Sequence, residues 1–292
     1  MMFTLPKPSD GFEWVQRPAG PALVCRPVER YAAHLFTTRP WRLGAAASAS
    51  TLALSMANDA DAWDEVASAM AVEKSRLARL RQVHGSVVVT YRRGAQPPAE
   101  DVLPEADIVI SDAPGVALAV QTADCVPVVM IDRRLGVVAA VHAGWRGLAA
   151  RAPVIAVERM ARDFGTRAAD LLVAIGPAIG SCCYEVGPDV RTQFEQASFA
   201  PAQLGRWFSA RPVASGLNPT MTSLSAVRRE GHWFFDASQT ARDELTSAGL
   251  TGTQIYVSGL CTASHRDVFC SYRRDGAPAG RMAAAIRLSL SD

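Results

Sequence analysis

The sequence predicts a single α+β domain built around a mixed β-sheet. Short β-branched runs crowd the first half of the chain, two of them are joined by a tight turn, and helical segments are interspersed with them. Because no repeat and no linker divides the 292 residues, we expect one domain over residues 1–292, with residues 1–30 as an N-terminal extension carrying the first strand.

The first helix is predicted over residues 58–72. Asn58 and Asp59 suit the cap at its start, and Trp63, Val66 and Met70 recur at helical spacing. We therefore expect a surface helix with one buried face.

Strands follow as β-branched runs bounded by Gly, Pro and Asp. These runs cover residues 86–93, 106–112, 115–132 and 136–144. The segment 132–136 has room only for a tight turn, which predicts an antiparallel hairpin of residues 126–131 and 137–141. That pairing places Cys125 and His142 at the same end of the hairpin.

The second half of the chain alternates helices and strands. We expect a helix over 147–164 that ends at Gly165 and that is either interrupted at Pro153 or tolerates this proline near its start, followed by a strand over 170–176. A helix from Pro188 to about 197 comes next. A further helix is capped by Asp236 and Gln239 and ends near Gly249, and a strand over 254–259 follows it. Residues 200–228 are rich in Pro, Ser, Gly and Arg and are expected to form an irregular insertion or lid.

Composition excludes several functions. The formal charge of +2 comes from dispersed arginines, so no nucleic-acid partner is expected. Lysine occurs only at positions 7 and 74, which disfavours Schiff-base chemistry and a Walker-type phosphate loop. The six cysteines are scattered and the N-terminus lacks a signal-peptide pattern, so we expect reduced thiols, a cytoplasmic location and no membrane span.

The run AVQTADCVPVVM (119–130) is apolar except at its middle. Gln121, Thr122, Asp124 and Cys125 interrupt it there. An unpartnered buried polar group costs roughly 1–3 kcal/mol, so these side chains either pair with one another or serve a site.

Two of the five histidines suit a site. His84 and His142 each lie at a strand boundary close to a glycine, in the segments RQVHGSVVV and VVAAVHAGWRG. An imidazole in such a position can point into a cleft. His34 and His232 have apolar surroundings that favour packing, and His265, in a polar segment, suits a loop or a site equally.

Cys125 has three interpretations. With His84 and His142 it could bind zinc and leave a fourth position open, as in catalytic sites. It could instead be a nucleophile with His142 as its base, or a small buried hydrophobic residue. Cys182 and Cys183 are expected to be packing and loop residues, because neighbours on an extended chain point in opposite directions.

Five segments carry a family resemblance. RQVHG, ADIVISDAPGVALAVQTADCVPVVMID, VVAAVHAGWRGLAA, AIGPAIGSCCYEVG and CSYRRDGAPAGRMAAAI resemble, in that order, the signature segments of the multi-copper polyphenol oxidoreductase (laccase-like) family, also described as zinc-dependent purine nucleoside phosphorylases. The resemblance covers roughly residues 30–290. It implies a sandwich of mixed β-sheets flanked by helices.

The resemblance also implies a site. His84, Cys125 and His142 would form the metal and catalytic centre, and Thr122 and Asp124 would be its polar surroundings. Asp124 is also expected to contact substrate. Separately from the resemblance, Arg39, Arg273 and Arg274 are candidate phosphate contacts, because guanidinium groups near a pocket suit phosphate; the alternative for the turn 271–276 is a solvated ion-pair cluster of its two arginines and its aspartate. Residues 39–58 depart from the family pattern, since they lack its glycines and its Asn-Arg pair.

We therefore expect an enzyme that cleaves adenosine or inosine with phosphate, releasing ribose 1-phosphate, and that also deaminates adenosine. Zinc is the expected cofactor, because five histidines cannot supply the several copper sites of laccase chemistry. The rival functions are a thiol hydrolase, a copper phenol oxidase and a metal-binding protein with weakened turnover. The oligomeric state is not predicted.

Overall fold

Two six-stranded mixed sheets pack face to face, with helices on both outer sides. The computed structural model describes residues 4–44, 52–97, 102–225 and 229–289. The strands in these ranges are β1 (Phe12–Arg17), β2 (Gly20–Cys25), β3 (Ala32–Phe36), β4 (Leu77–Ala78), β5 (Val88–Tyr91), β6 (Ile108–Ser111), β7 (Ala117–Thr122), β8 (Val126–Asp132), β9 (Val137–Ala143), β10 (Leu171–Ile175), β11 (Glu185–Val186), β12 (Phe208–Ser209), β13 (Trp233–Phe235), β14 (Ile255–Val257) and β15 (Met282–Leu288).

Helices connect the strands. They are α1 (Arg26–Glu29), α2 (Leu52–Ala69), α3 (Trp145–Ala149), α4 (Ala152–Phe164), α5 (Pro188–Gln196), α6 (Pro201–Trp207), α7 (Thr222–Ser225), α8 (Ala237–Ser247) and α9 (Tyr272–Asp275), with 3-10 turns at Arg39–Trp41, Lys74–Arg76, Ala168–Asp170 and Gly252–Gln254. Across the described ranges, every helix is too short or too polar to cross a membrane.

The strand order places the C-terminal strand inside a sheet. The first sheet runs β1-β2-β3-β15-β7-β4, the second runs β14-β10-β8-β9-β6-β5, and a small third sheet runs β11-β13-β12. Most neighbours are antiparallel, but β4 with β7, β5 with β6 and β10 with β14 are parallel. The sheets are therefore mixed, as the sequence predicts.

Apolar side chains fill three spaces between layers. Val129 and Ile131 of β8 face the first sheet, whereas Val128 and Met130 face α4 and α8. The outer face of the first sheet is covered by residues of α2 such as Trp63. Because side chains alternate along a strand, β8 and β9 are buried on both faces and read as continuous apolar runs. The α+β sandwich flanked by helices is confirmed.

Several local predictions are confirmed. β8 and β9 form the predicted antiparallel hairpin, in which Pro127 pairs with His142. The amide of Gln239 donates to the Asp236 carboxylate at the start of α8, and Gly165 ends α4 in a left-handed conformation with φ 74°.

Other segments differ from the predictions. The run 115–132 is two strands in different sheets, because β7 joins the first sheet and β8 the second. The helix expected over 147–164 is broken at Arg151, which has φ 58° and precedes Pro153 at the start of α4. Within residues 200–228, α6, β12 and α7 are regular, and 226–228 lie outside the described residues. Residues 45–51 of the altered segment 39–58 also lie outside them.

Candidate metal centre

Three potential metal ligands meet at one end of the second sheet. His84 lies in the loop before β5, Cys125 lies just before β8, and His142 is near the end of β9. One ligand atom from each residue lies within 4.8 Å of the others. The two imidazole rings are edge to face, with centroids 4.8 Å apart. The structure thus brings together the three residues that the sequence singles out.

The polar middle of the run 119–130 is the crossing between the two sheets. β7 ends at Thr122 and β8 begins at Val126, so residues 123–125 carry the chain from one sheet to the other. The Thr122 hydroxyl donates to the carbonyl of Cys125 and closes this turn. The crossing exposes part of Cys125 to the space beside the sheets.

Asp107 organises the two histidines. Its Oδ1 accepts hydrogen bonds from Nδ1 of His142 at 2.8 Å and from the amide of His84 at 3.0 Å. Its Oδ2 accepts from the amide of Gly85 at 2.6 Å. Because a carboxylate only accepts, Nδ1 of His142 carries the proton and Nε2 is left to bind a ligand. Asp107 is fully buried.

Gly144 allows the close approach of the ligands. A Cβ atom at this position would lie 3.0 Å from Cδ2 of His84 and 3.1 Å from Sγ of Cys125. Its backbone φ of −70° is ordinary, so the space, and not the backbone conformation, calls for glycine here.

The site favours a charged pair in the absence of metal. Burial by itself raises the pKa of the Cys125 thiol, but the charge and hydrogen bond of His142 lower it to about 6. Burial likewise lowers the pKa of His142, yet the Cys125 thiolate and Asp107 raise it to about 9. Burial also raises the pKa of Asp107, and its hydrogen bonds outweigh that effect and lower it. The two shifts act in the same sense and favour the thiolate and imidazolium forms of the metal-free pair.

Asp124 holds the walls of the site together. Its Oδ1 accepts from the Thr262 hydroxyl at 2.6 Å, and its Oδ2 accepts from the amide of Arg273 at 2.6 Å. Burial raises the pKa of this carboxyl. The backbone of Asp124 has φ 91°, a conformation that residues other than glycine rarely adopt.

The arginines selected from the sequence have different positions. Arg39 and Arg274 both bind the carboxylate of Asp275, and Arg274 also donates to backbone carbonyls, including that of Phe269. Neither lines the cleft over the metal ligands. Arg273 does line it, with its guanidinium 4.9 Å from the centre of the Tyr184 ring.

The three ligands lie in a cleft of about 750 Å³. This size is typical of a site for a small molecule. Its lining is formed by Leu80, Arg81, Gln82, His84, Leu103, Gln121, Thr122, Ala123, Asp124, Cys125, His142, Trp145, Arg146, Tyr184, Tyr272, Arg273 and Arg281. An adjoining groove shares Trp145, Arg146, Tyr184 and Arg273 with it. The cleft thus combines aromatic faces with positive charge.

Sequence reasoning missed two parts of this site. Asp107 is a carboxylate in the apolar run 106–112, the same signal that drew attention to residues 121–125. Trp145 and Arg146 stand directly after the HAG motif of His142. Arg146 is exposed and stacks on Trp145 with 4.2 Å between the guanidinium carbon and the ring centre.

The sandwich fold and the His-Cys-His site define a recognisable class of proteins. Residues 52–289 match the family model described as multi-copper polyphenol oxidoreductase laccase. The chain belongs to this family.

Relatives with similar sequences have been named for an activity. A protein of Deinococcus radiodurans named purine nucleoside phosphorylase is 35% identical over 259 residues, which cover 87% of this chain and 88% of that protein. The purine nucleoside phosphorylase YfiH of Escherichia coli is 34% identical over 209 residues, 72% of each chain.

Solved structures share the fold. The hypothetical protein YfiH of Bacillus licheniformis superposes with a TM-score of 0.79 at 26% identity, covering 96% of this chain and all of that one. YlmD of Geobacillus stearothermophilus gives 0.76 at 27% identity, covering 95% of this chain and 99% of that one.

Proposed function

We propose that the protein is a zinc-dependent purine nucleoside phosphorylase of the cytoplasm. In this reaction an oxygen of phosphate forms a bond to C1′ of the ribose, and the bond from C1′ to the purine breaks, giving free base and ribose 1-phosphate. The observation that carries the proposal is the His84, Cys125 and His142 trio inside a cleft of about 750 Å³. The names of the relatives support the same reaction.

The donor set fits zinc. Two imidazoles and one thiolate are ligands that zinc prefers, and Asp107 leaves Nε2 of His142 free to bind. When bound, zinc supplies Lewis acidity at an open coordination position. Hydrolytic release of ammonia from C6 of adenosine is a second reaction that suits this chemistry.

The cleft residues have distinct roles in this proposal. Trp145, Tyr184 and Tyr272 offer aromatic faces on which a purine can stack. Arg146 and Arg273 offer guanidinium groups to phosphate, because planar guanidinium binds phosphate oxygens in pairs. The carboxylate of Asp124 positions Arg273 by accepting a hydrogen bond from the backbone amide of Arg273. Arg39 and Arg274 are therefore replaced by Arg146 as phosphate contacts in this proposal.

A thiol hydrolase is the second candidate. Cys125, His142 and Asp107 form a chain of nucleophile, base and orienting carboxylate, with 2.8 Å between Nδ1 of His142 and Oδ1 of Asp107. The lowered pKa of Cys125 suits a nucleophile. This reading requires activity without a metal.

Turnover of nucleosides by zinc-loaded and metal-free protein tests the proposal. Loaded protein should convert inosine and phosphate to hypoxanthine and ribose 1-phosphate, and chelation should abolish the reaction. Cys125→Ser, His84→Ala and His142→Ala should each lower both bound zinc and kcat/KM at least about tenfold. His265→Ala, outside the trio and outside the linings of the cleft and the adjoining groove, is the control.

A second assay separates the candidates. Hydrolysis of an amide or peptide substrate by the metal-free protein, lost after alkylation of Cys125, would support the thiol hydrolase. Retention of one zinc by all three ligand variants would show that the trio does not bind it.

A further inference from the structure

A second cluster of sulfur ligands lies outside the candidate metal centre. The Sγ atoms of Cys182, Cys183 and Cys261 lie within 4.8 Å of one another, and all three residues are buried. Residues 181–183 form a turn, so two consecutive side chains converge on one point. The expectation that Cys182 and Cys183 point in opposite directions is therefore wrong.

Two polar groups lie beside the three sulfurs. The amide of Gly180 donates to Sγ of Cys261 at 3.2 Å. The Ser264 hydroxyl lies 3.4 Å from Sγ of Cys182 and 3.5 Å from Sγ of Cys183. Because the Ser264 hydroxyl donates to the carbonyl of Pro219 at 2.7 Å, it accepts from the cysteine thiols, and the amide of Gly180 is the donor to sulfur.

The cluster has its own route to solvent. Cys182 and Cys261 line a cleft of about 260 Å³ whose other walls include Asn218 and Arg242. This cleft shares none of its lining residues with the cleft over His84. An ion could therefore enter the sulfur cluster without passing through the candidate metal centre.

We propose that Cys182, Cys183 and Cys261 bind a soft, thiophilic d10 metal ion at a second site. Thiolates select Cu(I) and Zn(II) among biological metals. Among the described residues, no histidine or carboxylate joins the three sulfurs. Three thiolates complete a trigonal Cu(I) site, or leave one position of a tetrahedral Zn(II) site for a small ligand from the cleft. Met221, which packs against the cluster, adds to its soft surroundings. Binding releases the protons of the thiols.

Titration of a chain without the first site tests this. The full chain carrying His84→Ala and His142→Ala is stripped of metal, reduced and kept free of oxygen. Cu(I) is then added in competition with a chromophoric chelator, and Zn(II) is added in a separate arm. We expect one equivalent of at least one of these ions to bind, and X-ray absorption to show sulfur as its ligand. The two arms decide which ion the site takes.

Matched variants identify the ligands. Adding Cys182→Ser with Cys183→Ser should remove that equivalent, whereas Cys25→Ser, at another buried thiol, should retain it. Should the double substitution prevent folding, Cys261→Ala alone, checked by circular dichroism, should give the same loss.

Three results would overturn the proposal. One is that neither ion binds to the chain that lacks the two histidines. Another is that a folded cluster variant keeps its equivalent. The third is that Cys25→Ser removes the equivalent as fully as the cluster variants do, because the ion would then not be bound by Cys182, Cys183 and Cys261.

Discussion

Replacement of Asp107 by asparagine should weaken the metal centre without altering any ligand. The asparagine amide offers one oxygen, whereas the carboxylate now accepts from His142, His84 and Gly85 at 2.6–3.0 Å. One donor must therefore face an NH₂ group, and the remaining hydrogen bonds lose their charge assistance. At about 1.5–3 kcal/mol for a hydrogen bond to a charged group, we expect Asp107→Asn to cost ~2–4 kcal/mol of unfolding free energy.

Asp107→Asn should also lower the affinity for zinc, although Asp107 is not itself one of the three ligands. Loss of a carboxylate that orients a ligating histidine typically costs about 10- to 100-fold in metal affinity or activity. Zinc affinity is measured by competition with a chelator, and stability by urea unfolding of the metal-free chain.

Asp112→Asn is the matched control, at the other end of the same segment. Asp112 is half-buried and accepts a hydrogen bond from the amide of Arg93 at 2.7 Å. It should lose no more than about 1 kcal/mol and no zinc affinity. Wild-type zinc affinity in a folded Asp107→Asn chain would refute the assignment of Asp107 as the orienting group.

Three further substitutions test other features. Gly144→Ala should lower zinc affinity at least about tenfold, because its Cβ would lie 3.1 Å from Sγ of Cys125. Gly205→Ala is the control and should keep the wild-type affinity, because the space around Gly205 is open. Equal zinc affinities of the two variants would contradict the close approach at Gly144. The carboxyl group of Glu244 is buried without a hydrogen-bond partner, and burial raises its pKa well above its ordinary value of 4.5. The folded chain keeps a proton that the unfolded chain releases, so the free energy of unfolding falls as pH rises above about 4.5. Glu244→Gln should therefore raise Tm by about 2–4 °C at pH 8 but less at pH 5. A Tm difference between variant and wild type that does not change with pH would contradict this. Phe194→Ala should cost about 3–5 kcal/mol in urea unfolding, because the buried ring packs against Phe235 at 5.1 Å between centroids; a loss below 1 kcal/mol would contradict that packing.

Local signals predicted local structure well. The turn after Asp132 determined the β8–β9 hairpin, and Asp236 and Gly165 marked helix ends through their own hydrogen bonds and conformation. Each of these signals acts within a few residues of the chain. The same hairpin then brought Cys125 and His142 together.

Long-range partners could not be read in this way. The run 115–132 is apolar on both sides of its break, and the same pattern suits one buried strand or two strands in different sheets. Asp107 is separated from Gly85 by 22 residues and from His142 by 35. The sulfur cluster depends on Cys261, whose nearness to Cys182 follows only from the tertiary fold.

His84 and Asp124, both in the candidate site, have positive backbone φ angles that lower the stability of the chain. Their φ angles of 60° and 91° lie in the left-handed region, which favours glycine. Such conformations cost of order 1–3 kcal/mol each and persist when the surroundings demand them. Glycine at position 84 would relieve the backbone but remove an imidazole. Replacing His84 by glycine should therefore raise the free energy of unfolding while it removes one candidate metal ligand, so the stability of the chain and the candidate site make opposite demands on this one backbone position.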